Sequence, residues 1–260
     1  MKDQAETVLR ALYDRKSVRV FTEEPVSAGD RLTILEAALQ APTAGNQVLY
    51  TILEIEDQKL KETLAESCDH QPFIATAPLV LVFLADCRRW LDCYREAGEP
   101  ARNPGPGDLL LACSDALIAA QNAVTAAQAL GLGSCYIGDI MENCEFHRKL
   151  LHLDPLVFPA AMLVLGHPTE QQKNQRKIKR FDLEYIVRKD TYSPLSGEEL
   201  RTMFARLRPE ENFQFDDYLA RFCRRKYMSG FALELNRSVG KYLEAFPVPE
   251  IPEGLPEFRP

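Results

Sequence analysis

A chain of 260 residues, 46% hydrophobic and 27% charged, is long enough to bury a full core in one large domain or two small ones. Its formal net charge of -7 excludes a general affinity for nucleic acid phosphates, though not a local basic site for a small phosphate. Seven cysteines without a C-x-x-C pair, and four histidines without metal or triad spacing, indicate no disulfide framework and no metal centre, and fit the reduced thiols of a cytoplasmic protein.

The first six residues carry no apolar run, so no signal peptide is expected. Residues 5–14 place Val8, Leu9, Leu12 and Tyr13 on one helical face. Ser27 and Asp30 form a capping-box arrangement before a helix with Leu32, Leu35 and Leu39 at helical spacing, which ends before Pro42. Pro42 to Asn46 is turn chemistry, residues 48–55 read as a strand, and Asp57 can cap a short helix through Leu64. Leu79 to Leu84 is an unbroken apolar run of strand length, suited to cover on both faces. Residues 98–107, rich in Gly and Pro, read as a surface loop.

Leu109 to Leu130 is the most apolar long stretch, yet Ser114, Asp115, Gln121, Asn122, Thr125 and Gln128 interrupt it. A buried helix is expected there rather than a membrane span, with Gly131 and Gly133 placed to end it. A short strand over 134–138, a short helix over 143–151, a buried strand over 160–166 and a last strand over 183–188 follow. Ser196 with Glu199 forms a second capping box, and residues 215–246 carry Tyr218, Leu219, Phe222, Phe231, Leu235, Tyr242 and Leu243 at roughly helical spacing. Five prolines in the fourteen residues from Pro247 preclude helix and central strand. Strands alternating with helices set the class as α+β or α/β. A division into residues 1–192 and a helical extension over 193–260 with a Pro-rich tail is expected.

Four segments could carry chemistry. Arg15, Lys16, Ser17 and Arg19 combine three cations and a hydroxyl, fitting either a solvated charge run or a phosphate cradle in which arginine forks meet oxygens bidentately. Pro42, Thr43, Ala44, Gly45, Asn46 and Gln47 fit a plain loop, or one that lets a planar heterocycle approach small residues and neutral polar groups. Gly131 to Asp139, including Tyr136, Ile137 and Gly138, lacks the G-x-G-x-x-G pattern and follows a helix, so a Rossmann site is not supported. Gly138 could instead offer its backbone N–H to a ligand. The cluster Lys173, Arg176, Lys177, Lys179 and Arg180 could suggest nucleic acid; the acidic total makes a phosphate-binding loop more attractive.

Taken in order, these segments resemble the nitroreductase family of flavoproteins. Arg15, Ser17, Arg19 and Phe21 resemble its R-x-S-x-R-x-F opening, and "QAPTAGNQ" its A-P-S-S-x-N loop. "GLGSCYIGDI" resembles the glycine segment beside the isoalloxazine ring, and "VLGHPTEQQKNQRKIKRFDLEYIV" the G-x-P strand end, K-x-R element and L-E-x-V strand. The resemblance spans roughly residues 8–190. It implies an α+β fold with a central, mostly antiparallel sheet flanked by helices, and an intertwined homodimer with two FMN sites at the subunit interface. The 183–188 strand is then expected to join the partner's sheet.

The resemblance also implies roles. Arg15 and Ser17, with Lys16 nearby, hold the FMN phosphate; Arg19 sits at the pyrimidine edge of the ring. Pro42, Thr43, Ala44, Asn46 and Gln47 belong to the loop supplied by the partner. Tyr136, Ile137, Gly138 and Asp139 line the flavin, with the backbone at 137–139 facing N5, and Lys177, Lys179 and Arg180 complete the phosphate clamp. NAD(P)H gives hydride to the flavin and an electron-poor small molecule, such as a nitroaromatic or quinone, then takes the electrons in ping-pong order. No catalytic side chain, metal, nucleic acid or membrane partner is implied. The chain departs from the family pattern at Thr43-Ala44, where two serines are common, at Asp139, where glycine is common, and in the register of Lys-Ile-Lys-Arg. A flavin-binding protein with an occluded site and a reductive dehalogenase or other reductase of the superfamily are the alternatives.

Overall fold

The computed structural model describes residues 2–210 and 212–250. The proline-rich tail beyond residue 250 lies outside the described residues. In chain order the elements are α1 (Lys2–Asp14), α2 (Ala28–Leu39), β1 (Tyr50–Glu54), α3 (Gln58–Ser67), α4 (Phe73–Thr76), β2 (Leu79–Asp86), α5 (Arg88–Glu96), α6 (Pro106–Ala129), β3 (Gly133–Ile137), α7 (Cys144–Leu150), β4 (Val157–Gly166), α8 (Glu170–Asn174), α9 (Leu183–Ile186), α10 (Gly197–Leu207), α11 (Phe215–Phe222) and α12 (Gly230–Leu243). They group into two compact units, one of residues 1–175 with 234–260, the other of residues 176–233.

The first unit is built on a four-stranded antiparallel sheet of order β1-β2-β4-β3. Every residue of β2 and β4 is buried, as strands covered on both faces require. Leu81, Phe83, Leu163 and Leu165 face the cluster that contains α6; Val80, Val82, Met162 and Val164 face the cluster with Leu64 and Ile74. Helix α6 packs on the sheet through Ala112, Ala116, Ala119, Ala120, Ala123 and Ala127, whose small side chains let helix and strand backbones approach closely. Its apolar composition would suit a membrane by length alone, but this alanine stripe is core. Leu110, Leu111, Leu117 and Ile118 on its other side are exposed.

The expected caps form as read: Ser27 Oγ accepts Asp30 N–H at 3.0 Å, Asp57 accepts Leu60 N–H at 2.7 Å, and Ser196 and Glu199 cap each other. Three local expectations change. In α2 the buried residues are Ile34 and Ala38, whereas Leu32 and Leu39 are more than half exposed; helical spacing defined a stripe, but the sheet and α6 meet the neighbouring one. Gly131, at φ +79°, ends α6, while Gly133 is a buried strand residue on which Val18 sits. A Cβ at Gly133 would lie 2.6 Å from Val18 Cγ2.

The strand expected over 183–188 is instead the one-turn helix α9. An isolated strand leaves a row of N–H and C=O groups unpaired. No strand of the chain pairs with this segment among the described residues, and its backbone closes locally, Val187 N–H on Leu183 O at 2.8 Å and Tyr185 N–H on Asp182 O at 3.1 Å.

After residue 233, α12 returns to the first unit. Ser238 Oγ accepts Cys144 N–H at 2.9 Å and donates to Met141 O at 2.7 Å; Arg237 forks onto Glu145. Tyr242 and Phe246 are fully enclosed, the former edge-on to Phe158 at 5.0 Å. Residues 234–246 therefore belong to the first unit and bury Ser238, Tyr242 and Phe246 in it, while residues 193–233 of the expected extension fall in the second unit.

Candidate functional site

The segment after α1 runs along the outer edge of β3. Ser17 bridges Ser134 in parallel, Val18 N–H donates to Ser134 O at 2.9 Å, and Thr22 N–H to His167 O at 2.8 Å. Val18 is buried and acts as the anchor, which leaves Arg15, Lys16 and Ser17 half-buried and Arg19 exposed around it. The Cys135 thiol reports their convergence. Burial pushes it up, and the Arg19 charge, the Ser17 hydroxyl and the Arg15 charge oppose that shift. The Tyr136 phenol is pushed up to about 12 by burial, with Arg15 again opposing. Arg15, Ser17 and Arg19 thus all lie near Cys135 on the outer edge of β3.

Lys16 is committed elsewhere. Its ammonium donates to Lys173 O and Gln175 O, both at 2.6 Å, where carbonyls at the end of α8 attract a cation. The Arg19 backbone N–H donates to Gln172 Oε1 at 3.2 Å, and its guanidinium lies 6.0 Å from the Phe73 ring centroid.

Beyond β3, Gly138 is exposed and opens a 3-10 turn over Asp139–Met141. A Cβ here would meet only Met141 Cε at 3.8 Å, so the chain's own packing does not demand glycine, and the space over this backbone is open to a ligand. Ile137 is buried, Tyr136 half-buried. Asp139 is half-buried, and its charge acts on Glu142 and Cys68.

The loop from Pro42 to Gln47 lies far from this group. It precedes β1, at the opposite edge of the sheet from β3, so three inter-strand spacings separate them, roughly 14 Å. It also lies at the other end of the strands. Tyr50 is in register with Ala85, whereas Ser134 is in register with Leu165 and hence with Leu79, about 20 Å along β2 at the usual rise per residue. Within the loop Pro42 and Asn46 are exposed and Thr43, Ala44 and Gln47 half-buried. Trp90 Nε1–H donates to Gln47 O at 2.7 Å, and a cavity of about 310 Å³ opens beside Gln47 between Trp90, Tyr94 and Leu111.

Lys177, Lys179 and Arg180 belong to the second unit and are exposed. Lys179 donates to Arg206 O at 2.8 Å and Arg180 to Ile178 O at 3.1 Å.

The motifs did not point to Asp115, 3% exposed on α6, which accepts Ala44 N–H at 3.0 Å, Leu49 N–H at 3.2 Å and the Thr43 hydroxyl. Its signal was the one charged residue in the apolar stretch 109–130.

Residues 12–167 match the model of the nitroreductase family. An FMN reductase [NAD(P)H] of Bacillus subtilis is 29% identical over 251 residues, covering 95% of each chain. An oxygen-insensitive NADPH nitroreductase of Salmonella typhimurium is 34% identical over 192 residues, 74% of this chain and 77% of the relative. Among solved structures, NfrA2 of B. megaterium superposes with a TM-score of 0.77 at 26% identity, covering 93% of this chain and 98% of that one. A family match over residues 12–167, more than half of the chain, establishes that the chain belongs to the nitroreductase family.

Proposed function

We propose that this protein is a cytoplasmic FMN-dependent oxidoreductase that takes electrons from NAD(P)H and passes them to an electron-poor small molecule such as a nitroaromatic or quinone. The observation that carries the reading is the gathering of Arg15, Ser17 and Arg19 on the β3 edge, beside an open Gly138. When bound, FMN supplies the centre that accepts hydride and releases electrons. The chain's part is to bind and orient it. Arg15 offers a fork and Ser17 a neutral donor to the phosphate. Arg19 contributes a fixed positive charge where the reduced ring gains negative charge.

The site is completed by a second copy of the chain in an intertwined homodimer. The 42–47 loop is too far from Arg15 and Arg19 in its own chain, so the partner's loop supplies Thr43, Ala44, Asn46 and Gln47. The apolar surfaces of α1, at Val8, Leu9, Leu12 and Tyr13, and of α6, at Leu110, Leu111, Leu117 and Ile118, are what such an interface would cover. Residues 183–188, with Leu183, Ile186 and Val187 exposed, take a partner's sheet edge as their neighbour. The cavity beside Gln47, walled by Trp90 and Tyr94, suits a planar acceptor.

The test is spectroscopic. The purified chain, loaded with FMN, is mixed anaerobically with NADPH and with NADH, and bleaching of the flavin bands is followed. Bleaching by either nucleotide, with one FMN per chain and a dimer by sedimentation, supports the reading. FMN that binds but is reduced by neither sinks the enzyme assignment. Arg19→Ala is expected to weaken FMN binding about tenfold or more and to slow reduction, the scale of a lost charge-assisted contact.

A further inference from the structure

The 43–49 loop is held in an uncommon shape. Gly45, Asn46 and Val48 have φ of 57°, 57° and 52°, in the left-handed region, which for a β-branched valine is a true outlier. Such a backbone persists only when its surroundings over-determine it. Trp90 and Arg89 hold its carbonyls, donating to Gln47 O at 2.7 Å and to Val48 O at 2.9 Å, and a single carboxylate holds the N–H groups at its two ends. Oδ1 of Asp115 accepts the Ala44 N–H at 3.0 Å, and Oδ2 accepts the Leu49 N–H at 3.2 Å together with the Thr43 hydroxyl. The Thr43 oxygen in turn accepts the Val48 N–H at 2.8 Å. One buried carboxylate thus ties both ends of the loop to α6, and it has no ion-pair partner among the described residues.

We propose that Asp115 is a positioning residue for the flavin, acting through this loop. Both of its oxygens are used as acceptors of three donors, a task for which a carboxylate is suited and an amide is not, because the NH2 of asparagine would confront a backbone N–H. The arrangement also decides which loop groups are free. The Thr43 hydroxyl proton and the Ala44 N–H point at Asp115, so the departure from the family's paired serines removes little from the ligand's side. Asn46, exposed at the turn, and Gln47 are the polar side chains presented outward. Asp115 therefore sets the geometry of residues that themselves touch the cofactor, an inference that rests on reading this loop as part of the FMN site.

The experiment titrates FMN into the full chain by fluorescence, records visible circular dichroism of the bound flavin, and follows amide hydrogen exchange over residues 43–49. Asp115→Asn is expected to raise the FMN Kd about tenfold, change the flavin dichroism and speed exchange at Ala44 and Leu49. Thr43→Ala, which keeps both backbone bonds to Asp115, serves if Asp115→Asn does not fold. It is expected to raise Kd about threefold in the wild-type background and to add nothing in the Asp115→Asn background, the signature of a shared path. Unchanged Kd and dichroism in Thr43→Ala and in folded Asp115→Asn overturn the positioning role while the flavin reading stands. A wild-type chain that binds no FMN overturns both.

Discussion

The two units of the chain are stabilised in different ways. The first holds the sheet, the alanine stripe of α6 and nearly all of the buried side chains, whereas in the second, among the described residues, Met203 alone is buried. The second unit relies on aromatic contacts around Phe204, whose ring lies 5.3 Å from Phe181, 5.6 Å from Phe215 and 5.9 Å from Tyr218. Arginines stack over these and nearby rings: Arg201 is 4.6 Å from Phe215 and Arg208 is 5.2 Å from Tyr218. Charge divides in the same way. Residues 176–233 carry 13 Lys and Arg against 9 Asp and Glu, while the rest of the chain carries 18 against 29. An acidic protein thus contains a basic, thinly buried excursion. Few buried apolar contacts mean a low local opening free energy, so the excursion is expected to open before the core does.

The contrast can be broken from either side. Phe83→Ala removes a fully buried ring from β2 and is expected to cost about 3–5 kcal/mol, shifting the whole chemical denaturation curve. A shift confined to part of the transition would show that the first unit is not one cooperative core. Phe204→Ala is expected to cost about 1–3 kcal/mol, felt locally. Limited proteolysis should then cut faster within 176–233 while the main transition keeps its midpoint. An equal loss in both would mean that the two units fold as one.

The smallest effect concerns a carboxyl that the first unit buries. Glu142 is 5% exposed and pushed up to about 7 by burial first, then by Asp139, Asp69 and Glu234. Between the ordinary 4.5 and about 7 the folded chain holds a proton that the unfolded chain has lost, so stability falls as pH rises through that window. Glu142→Gln is expected to flatten this decline and to be more stable than wild type at pH 8, read from denaturation midpoints across pH. An unchanged slope would place the titration elsewhere.

Elements with strong local signals were legible. The apolar runs at 79–84 and 160–166 read as covered strands, and Ser27, Asp57 and Ser196 start helices through their own side chains, which needs no distant partner. The cluster Arg15, Ser17 and Arg19 was legible as types in a spacing. The residues that hold it in place were not, because Val18 on Gly133 is a contact across more than a hundred positions.

By itself, then, the order of residues determined most of the helices and strands, through its resemblance the α+β class and the family, and the set of polar groups along the chain. Tertiary structure decided which stripe of α2 is buried, that Ser238, Tyr242 and Phe246 join the core of the first unit, and that residues 183–188 curl into a turn when no strand lies beside them. It also decided that the 15–19 and 42–47 segments fall at opposite corners of one sheet. Local propensity and hydrogen bonding act over a few residues and can be read along the chain. Strand order, register and the burial of Asp115 depend on which surfaces meet, and the spacing of residues along the chain does not record that.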